Sequence, residues 1–140
     1  MSKQQQMQDI LKDTVDYYRE DPKGRRAVDH NGDCQYTTVS GNHCAIGRYM
    51  KPEYQTTEFD ENQGVGVHGL SCDIDHYLIS KVLGLDEMFW RDLQDMHDKM
   101  LHWETWSMEV DGLREYKLTD EGKEYYVKMQ DRIAEGRYDD

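Results

Sequence analysis

The sequence predicts an α+β domain, with a hairpin or small antiparallel sheet packed by about four helices. Three patterns predict it. Apolar residues recur at three- and four-residue steps in several windows, the mark of amphipathic helices. Two β-rich runs flank a turn between residues 34 and 50. A strand-like run then leads into a Thr-capped helix near the C-terminus. The 140 residues are an ordinary size for one domain with one core, so residues 1–140 read as a single unit. Within it, 1–24 carry the first helix, 25–107 the hairpin and central helices, and 108–140 a strand plus the last helix.

Met7, Ile10, Leu11, Val15 and Tyr18 share one helical face from about residue 4 to about residue 19, and Asp21, Pro22 and Gly24 end it. CQYTT, the turn Ser40-Gly41-Asn42 and HCAIGRYM read as the hairpin, with Pro52 closing it. Period-2 spacing then predicts that Cys34, Tyr36, Cys44 and Ile46 share a buried face, with His43, Ala45 and Gly47 on the other. Residues 51–72 read as a long loop with glycines at 64, 66 and 69. Its GVGVHG run lacks the spacing of a dinucleotide fingerprint. A helix capped by Asp73 or Asp75 carries Ile74, Tyr77, Leu78, Lys81 and Val82, and Gly84 stops it. The next starts near Asp86 with Phe89, Leu93, Met96, His97, Met100 and Leu101 in one stripe. LREYKLT reads as a strand. Thr119 caps the last helix, whose buried face is Tyr125, Tyr126, Met129 and Ile133, and EGRYDD is expected to fray.

The charge balance limits the partners. Asp and Glu total 29 against 17 Lys and Arg, a formal net charge of −12. A chain of this sign repels phosphate backbones and anionic membranes, so direct nucleic-acid binding and membrane association are not expected. Its natural partners are basic protein surfaces, cations, or a small ligand in a locally positive pocket. The N-terminus is polar, and no apolar run approaches the roughly 20 residues of a membrane helix, so the cytosol is the expected compartment. There Cys34, Cys44 and Cys72 remain thiols.

The stretch from Arg26 to Trp103 resembles a family of small proteins carried in bacteriophage and prophage genomes. The pieces that carry the resemblance are Arg26-Ala27, Cys34-x-Tyr36, His43-Cys44-Ala45-Ile46-Gly47, Tyr54 after Pro52, Leu93-Gln94-x-x-His97-Asp98 and Trp103. They cover a little over half of the chain. The resemblance implies a life in the cytoplasm of an infected bacterium and supplies no reaction or site. YKLTDEGKEYY also resembles the wing strand and final helix of winged-helix domains. The segment is not basic, which argues against DNA binding.

Candidate chemistry is sparse. Cys34, Cys44, Cys72 and His76, with His43, have donor atoms suited to zinc. They lack any C-x-x-C unit, and neighbours such as His43 and Cys44 would point to opposite faces of a strand. The same alternation weakens a Cys44–His43 nucleophile and base, and no orienting third group can be found. No catalytic set or cofactor is therefore expected. Arg25, Arg26 and Arg48, with His68 and Trp103, are the candidate ligand-binding residues, because guanidinium forks grip phosphate or carboxylate and an indole stacks on a ring. Ion pairing of these arginines with the many carboxylates is the competing reading. The function expected from this sequence is a non-enzymatic accessory protein that binds a host protein through a basic surface on that partner. One alternative is sequestration of a small nucleotide-like ligand, and another is an acidic mimic of nucleic acid.

Overall fold

The computed structural model describes residues 2–20, 25, 27, 37–38, 41–56, 74–98, 103, 108–110, 113–115 and 118–138. Its architecture is helical. Four α-helices are present among the described residues: α1 Lys3–Glu20, α2 Ile74–Tyr77, α3 Glu87–Asp98 and α4 Asp120–Ala134. Short 3-10 turns lie at Gly47–Tyr49, Pro52–Tyr54 and Ser80–Val82. The expected α+β class is therefore corrected. Among the described residues the strand pairing consists of one ribbon, β1 Met108–Val110 against β2 Leu113–Glu115, and isolated bridges. Three residues per strand form no layer on which helices could pack.

The core forms where α1 packs on α4 and on α3, with α3 also against α4. The apolar stripe of α1 supplies Met7, Ile10, Leu11, Val15 and Tyr18, all buried, as its periodicity predicts. Burying one such side chain is worth about 1.5–3 kcal/mol, so a face of this width can dock a helix of modest intrinsic propensity. In α3, Phe89, Leu93, Met96 and His97 are buried together with Trp90, Asp92 and Gln94. Met100 and Leu101 lie outside the described residues. In α4, Met129 and Ile133 are buried, while Tyr125 and Tyr126 pack against the core with partial exposure. Thr119 caps α4 as expected, its Oγ1 accepting the Gly122 N–H at 3.1 Å.

The hairpin gives way to a tight helical turn. The described half of the first run, Thr37, meets His43 in one isolated bridge, and Gly41 takes a positive φ of 90° in the turn between them. Beyond His43 the chain coils: Arg48 N–H donates to Cys44 O at 3.0 Å and Tyr49 N–H to Ile46 O at 2.9 Å. Cys44, Ala45, Ile46 and Gly47 are consequently all buried. The expected alternation, with Ala45 and Gly47 facing away from Cys44 and Ile46, is overturned because a turn has no period of two. Cys34 and Tyr36 lie outside the described residues.

The helix expected over 73–82 is broken. α2 ends at Tyr77, Leu78 bridges Met50, and Ile79 is extended. Lys51 N–H donates to Tyr77 O at 2.8 Å and Ile79 N–H to Tyr49 O at 2.9 Å. Backbone bonds to a segment nearly thirty residues away thus replace the bonds that would have continued the helix. The loop at 51–72 is also partly structured, since Pro52–Tyr54 forms a 3-10 turn with Pro at its start.

The tail is ordered as far as Tyr138. Gly136 has φ 73°, its N–H donates to Ile133 O at 3.1 Å, and Arg137 N–H donates to Arg132 O at 3.0 Å. This is the paired closure of a Schellman motif, which needs a left-handed residue after the cap and finds glycine there. It turns Tyr138 back into the core beside Phe89, with ring centroids 5.8 Å apart. Fraying of the whole segment is therefore corrected; Asp139 and Asp140 lie outside the described residues. No helix among the described residues is long and apolar enough to cross a membrane.

Candidate functional site

The polar flank of α1 carries Gln6, Asp9 and Asp13, and Ile10 stands between the two carboxylates at the edge of its buried face. The broken second helix supplies the facing wall. Because Ile79 is extended and the chain coils again at Ser80–Val82, Ile79, Lys81 and Val82 come to lie along α1. Tyr49 closes one end. Gln6, Asp9, Ile10, Asp13, Tyr49, Ile79, Lys81 and Val82 line an open groove of about 390 Å³. Gln6 ties the walls together, its Nε2 donating to Lys81 O at 3.1 Å.

Ile10, Ile79 and Val82 give the groove an apolar floor, and Asp9 and Asp13 give it an acidic wall. The carboxylates are four residues apart, which places them on one helix face one turn apart. Asp9 Oδ1 accepts from Gln5 Nε2 at 2.9 Å. Asp13 Oδ2 accepts from the Tyr49 hydroxyl at 2.6 Å and from Arg48 Nη2 at 3.0 Å. These three bonds leave Asp9 Oδ2 and Asp13 Oδ1 unused. Burial is the main cause that pushes the Tyr49 phenol well above its ordinary range, and the bond to Asp13 and that carboxylate's charge add to it. Tyr49 is thus a fixed donor at the groove end at every ordinary pH.

Two of the arginines singled out in the sequence meet nearby. The Arg48 guanidinium sits 3.9 Å from the centroid of the Tyr17 ring and the Arg25 guanidinium 4.5 Å from it. Each holds a carboxylate with one nitrogen, and Arg48 Nη1 is buried with no hydrogen-bond partner. Arg48 bonds Asp13, while Arg25 Nη1 lies 2.9 Å from Glu20 Oε2 and donates to Tyr17 O at 2.8 Å. An incoming phosphate would meet the carboxylates of Glu20 and Asp13 already paired with these groups. Arg26 and His68 lie outside the described residues. Trp103 is buried in the core, its Nε1 donating to Met96 O at 2.8 Å. An indole held this way has no open face on which a ligand ring could stack.

The metal alternative scatters in the same manner. Cys44 is buried, and its Sγ accepts the Gly47 N–H at 3.2 Å. His76 is exposed on α2, with its Nε2 3.2 Å from the Tyr54 hydroxyl. Cys34 and Cys72 lie outside the described residues. His43 places Nδ1 3.0 Å from Thr37 Oγ1. No group of three or more His, Cys, Asp or Glu side chains that could hold a metal ion occurs among the described residues.

His97 sits in a buried polar network that ties the chain together. The Ala27 N–H donates to its Nε2 at 3.1 Å, so Nε2 is the acceptor and the ring proton lies on Nδ1. Asp98 Oδ1 accepts that proton at 2.7 Å and also accepts from Gln94 Nε2 at 2.7 Å. Gln94 Oε1 in turn accepts the Ile46 N–H at 3.3 Å. The Tyr18 ring packs edge-on to His97 with centroids 4.9 Å apart, and its hydroxyl donates to His43 O. This arrangement pins residues 27 and 43–46 to α3. It contains no activated nucleophile, because each polar group is engaged by backbone or by its neighbour.

Sequence reasoning missed the groove. The signal on α1 is legible, since Asp9 and Asp13 flank Ile10 at helical spacing. The opposite wall comes from residues 79–82 in a conformation that the sequence reads as helix. Comparison with known proteins finds no family model, no curated protein and no solved structure that matches the chain.

Proposed function

We propose that this chain is a non-enzymatic binding protein that docks on a basic surface of a protein partner through the groove between α1 and the 79–82 turn. The observation that carries the reading is the groove itself: an apolar floor beside two carboxylates, on a chain of net charge −12. Apolar surface supplies binding energy, while the acidic wall and the overall field favour and orient a cationic partner. Under the resemblance of residues 26–103 to phage-carried proteins, that partner is a component of the infected bacterium. A nucleotide-like ligand at Arg25 and Arg48 would compete with Glu20 and Asp13, which already pair with them.

The test is capture of proteins from a bacterial lysate by the immobilised chain at low and at high salt. Exposed charges are screened within about 8 Å at physiological ionic strength, so a partner held by this face is retained at low salt and released at high salt. The reading further expects the retained proteins to be basic. Asp9 is exposed, so Asp9→Lys can reverse the charge of the groove wall without disturbing the core. Retention that is indifferent both to salt and to that exchange would count against this function.

A further inference from the structure

We infer that the groove is the receptor for a single lysine or arginine side chain of the partner protein, with its aliphatic stem on Ile10, Ile79 and Val82 and its charged head against Asp9 and Asp13. The inference rests on the proposed function and specifies what that site recognises. Three observations carry it.

The first is shape and composition. A cavity of about 390 Å³ that is open to solvent accepts an extended side chain from a neighbouring surface, and its floor is aliphatic while its wall is acidic. A lysine or arginine side chain has the matching division: a hydrocarbon stem that prefers apolar contact and a charged end that seeks acceptors. A purely apolar side chain would cover the floor but leave the carboxylates to be desolvated without compensation.

The second is the supply of acceptors. Asp9 and Asp13 stand one helical turn apart, a separation that a single ammonium or guanidinium can span. Asp9 uses Oδ1 for Gln5, and Asp13 uses Oδ2 for both Tyr49 and Arg48. Asp9 Oδ2 and Asp13 Oδ1 are the acceptors left for an incoming donor.

The third is that the chain already makes this contact with itself. The Arg48 guanidinium approaches Asp13 from beside the groove, with its plane supported on the Tyr17 ring 3.9 Å away. Arg48 is therefore an internal competitor for Asp13. Lys81, on the opposite wall, is the other cation at the groove. An incoming cation gains most from Asp9, whose donor is the neutral Gln5 amide, and secondarily from Asp13, whose charge Arg48 already offsets.

The test uses the full chain, isotope-labelled, titrated with two capped peptides, glycine–lysine–glycine and its norleucine counterpart, and read by backbone amide shifts. The lysine peptide should move the amides of Ile10, Asp13, Tyr49, Ile79 and Val82, and the norleucine peptide should bind more weakly. Asp9→Asn should weaken the lysine peptide about two- to fivefold, the size expected for one exposed ion pair, and leave norleucine binding unchanged. Arg48→Gln should tighten lysine binding by removing the competitor. If Arg48→Gln unfolds the chain, the Asp9→Asn comparison still decides, because Asp9 is exposed. Equal binding of the two peptides would overturn the inference and leave an apolar groove. Shifts absent from the groove residues would overturn it as well. Neither result touches the salt-dependent capture of basic proteins, so the general function and this specific recognition fail separately.

Discussion

His97 shows how much one side chain can organise. It is fully buried, and its two nitrogens serve opposite roles, one accepting from Ala27 and the other donating to Asp98. Leucine would fill much of the same volume but leave the Ala27 N–H without its acceptor. A buried donor left unpaired costs about 1–3 kcal/mol, so His97→Leu should destabilise the fold by roughly that amount in urea unfolding. A neutral result would show that Ala27 finds another partner and that the network is dispensable. The sequence shows His97 only as one polar letter on an apolar stripe. Its partners at 27, 94 and 98 are not deducible, because Ala27 contributes a backbone group that no side-chain pattern reports. Arg25 and Arg48 illustrate the converse. Ion pairing with nearby carboxylates was legible as their competing role, and Glu20 and Asp13 are the partners they meet.

At the scale of elements, the helices with long apolar stripes were legible and the short segments were not. α1, α3 and α4 follow from periodicity because each buries one continuous face, and the Thr119 cap follows from residue chemistry. Residues 43–50 contain the letters of a strand yet fold as a turn, with Cys44 O and Ile46 O accepting from Arg48 and Tyr49 within the same segment. Residues 74–82 contain the letters of a helix, yet the bonds of Lys51 and Ile79 across to Tyr77 and Tyr49 interrupt it. The two segments meet at one long-range bridge, Met50 with Leu78. The groove depends on that interruption. The C-terminal end of α4 is held by Asp92 of α3, which accepts from Arg132 Nη1 at 2.8 Å and from the Tyr138 hydroxyl, while its backbone carbonyl accepts from Tyr125 at 3.0 Å. Asp92→Ala should therefore loosen the end of α4 and cost about 1–3 kcal/mol, mainly through the buried Tyr138 hydroxyl. The Arg132 pair adds little, because that side chain is 43% exposed. Hydrogen exchange should show lost protection at residues 132–138 before the rest of α4. Unchanged protection there would mean that Asp92 does not anchor the end of the helix.

At the scale of the whole molecule, stability should fall at alkaline pH. The phenols of Tyr49, Tyr125 and Tyr138 are all held well above the ordinary tyrosine range, in each case chiefly by burial. A raised pKa means that the folded chain keeps a proton which the unfolded chain gives up. The associated stability is complete below about pH 10 and is lost progressively as the pH rises from there toward the folded values. Thermal unfolding followed from pH 8 upward should show a falling midpoint above about pH 10, with phenolate absorbance appearing together with unfolding. Phenolate formation by these three residues in the intact fold would contradict it. Under the proposed function, the net charge of −12 sets the general attraction for basic partners, and the groove sets where that attraction is used. One comparison separates the two. Asp9→Lys in the groove wall and Glu124→Lys on α4, which contributes no residue to the groove, change the net charge by the same amount. Anisotropy of a dye-labelled lysine-rich peptide then measures affinity for each variant beside the parent chain. Asp9→Lys should weaken binding several-fold more than Glu124→Lys does. Equal losses would show that the chain attracts cations by its overall charge alone and that the groove is not the site.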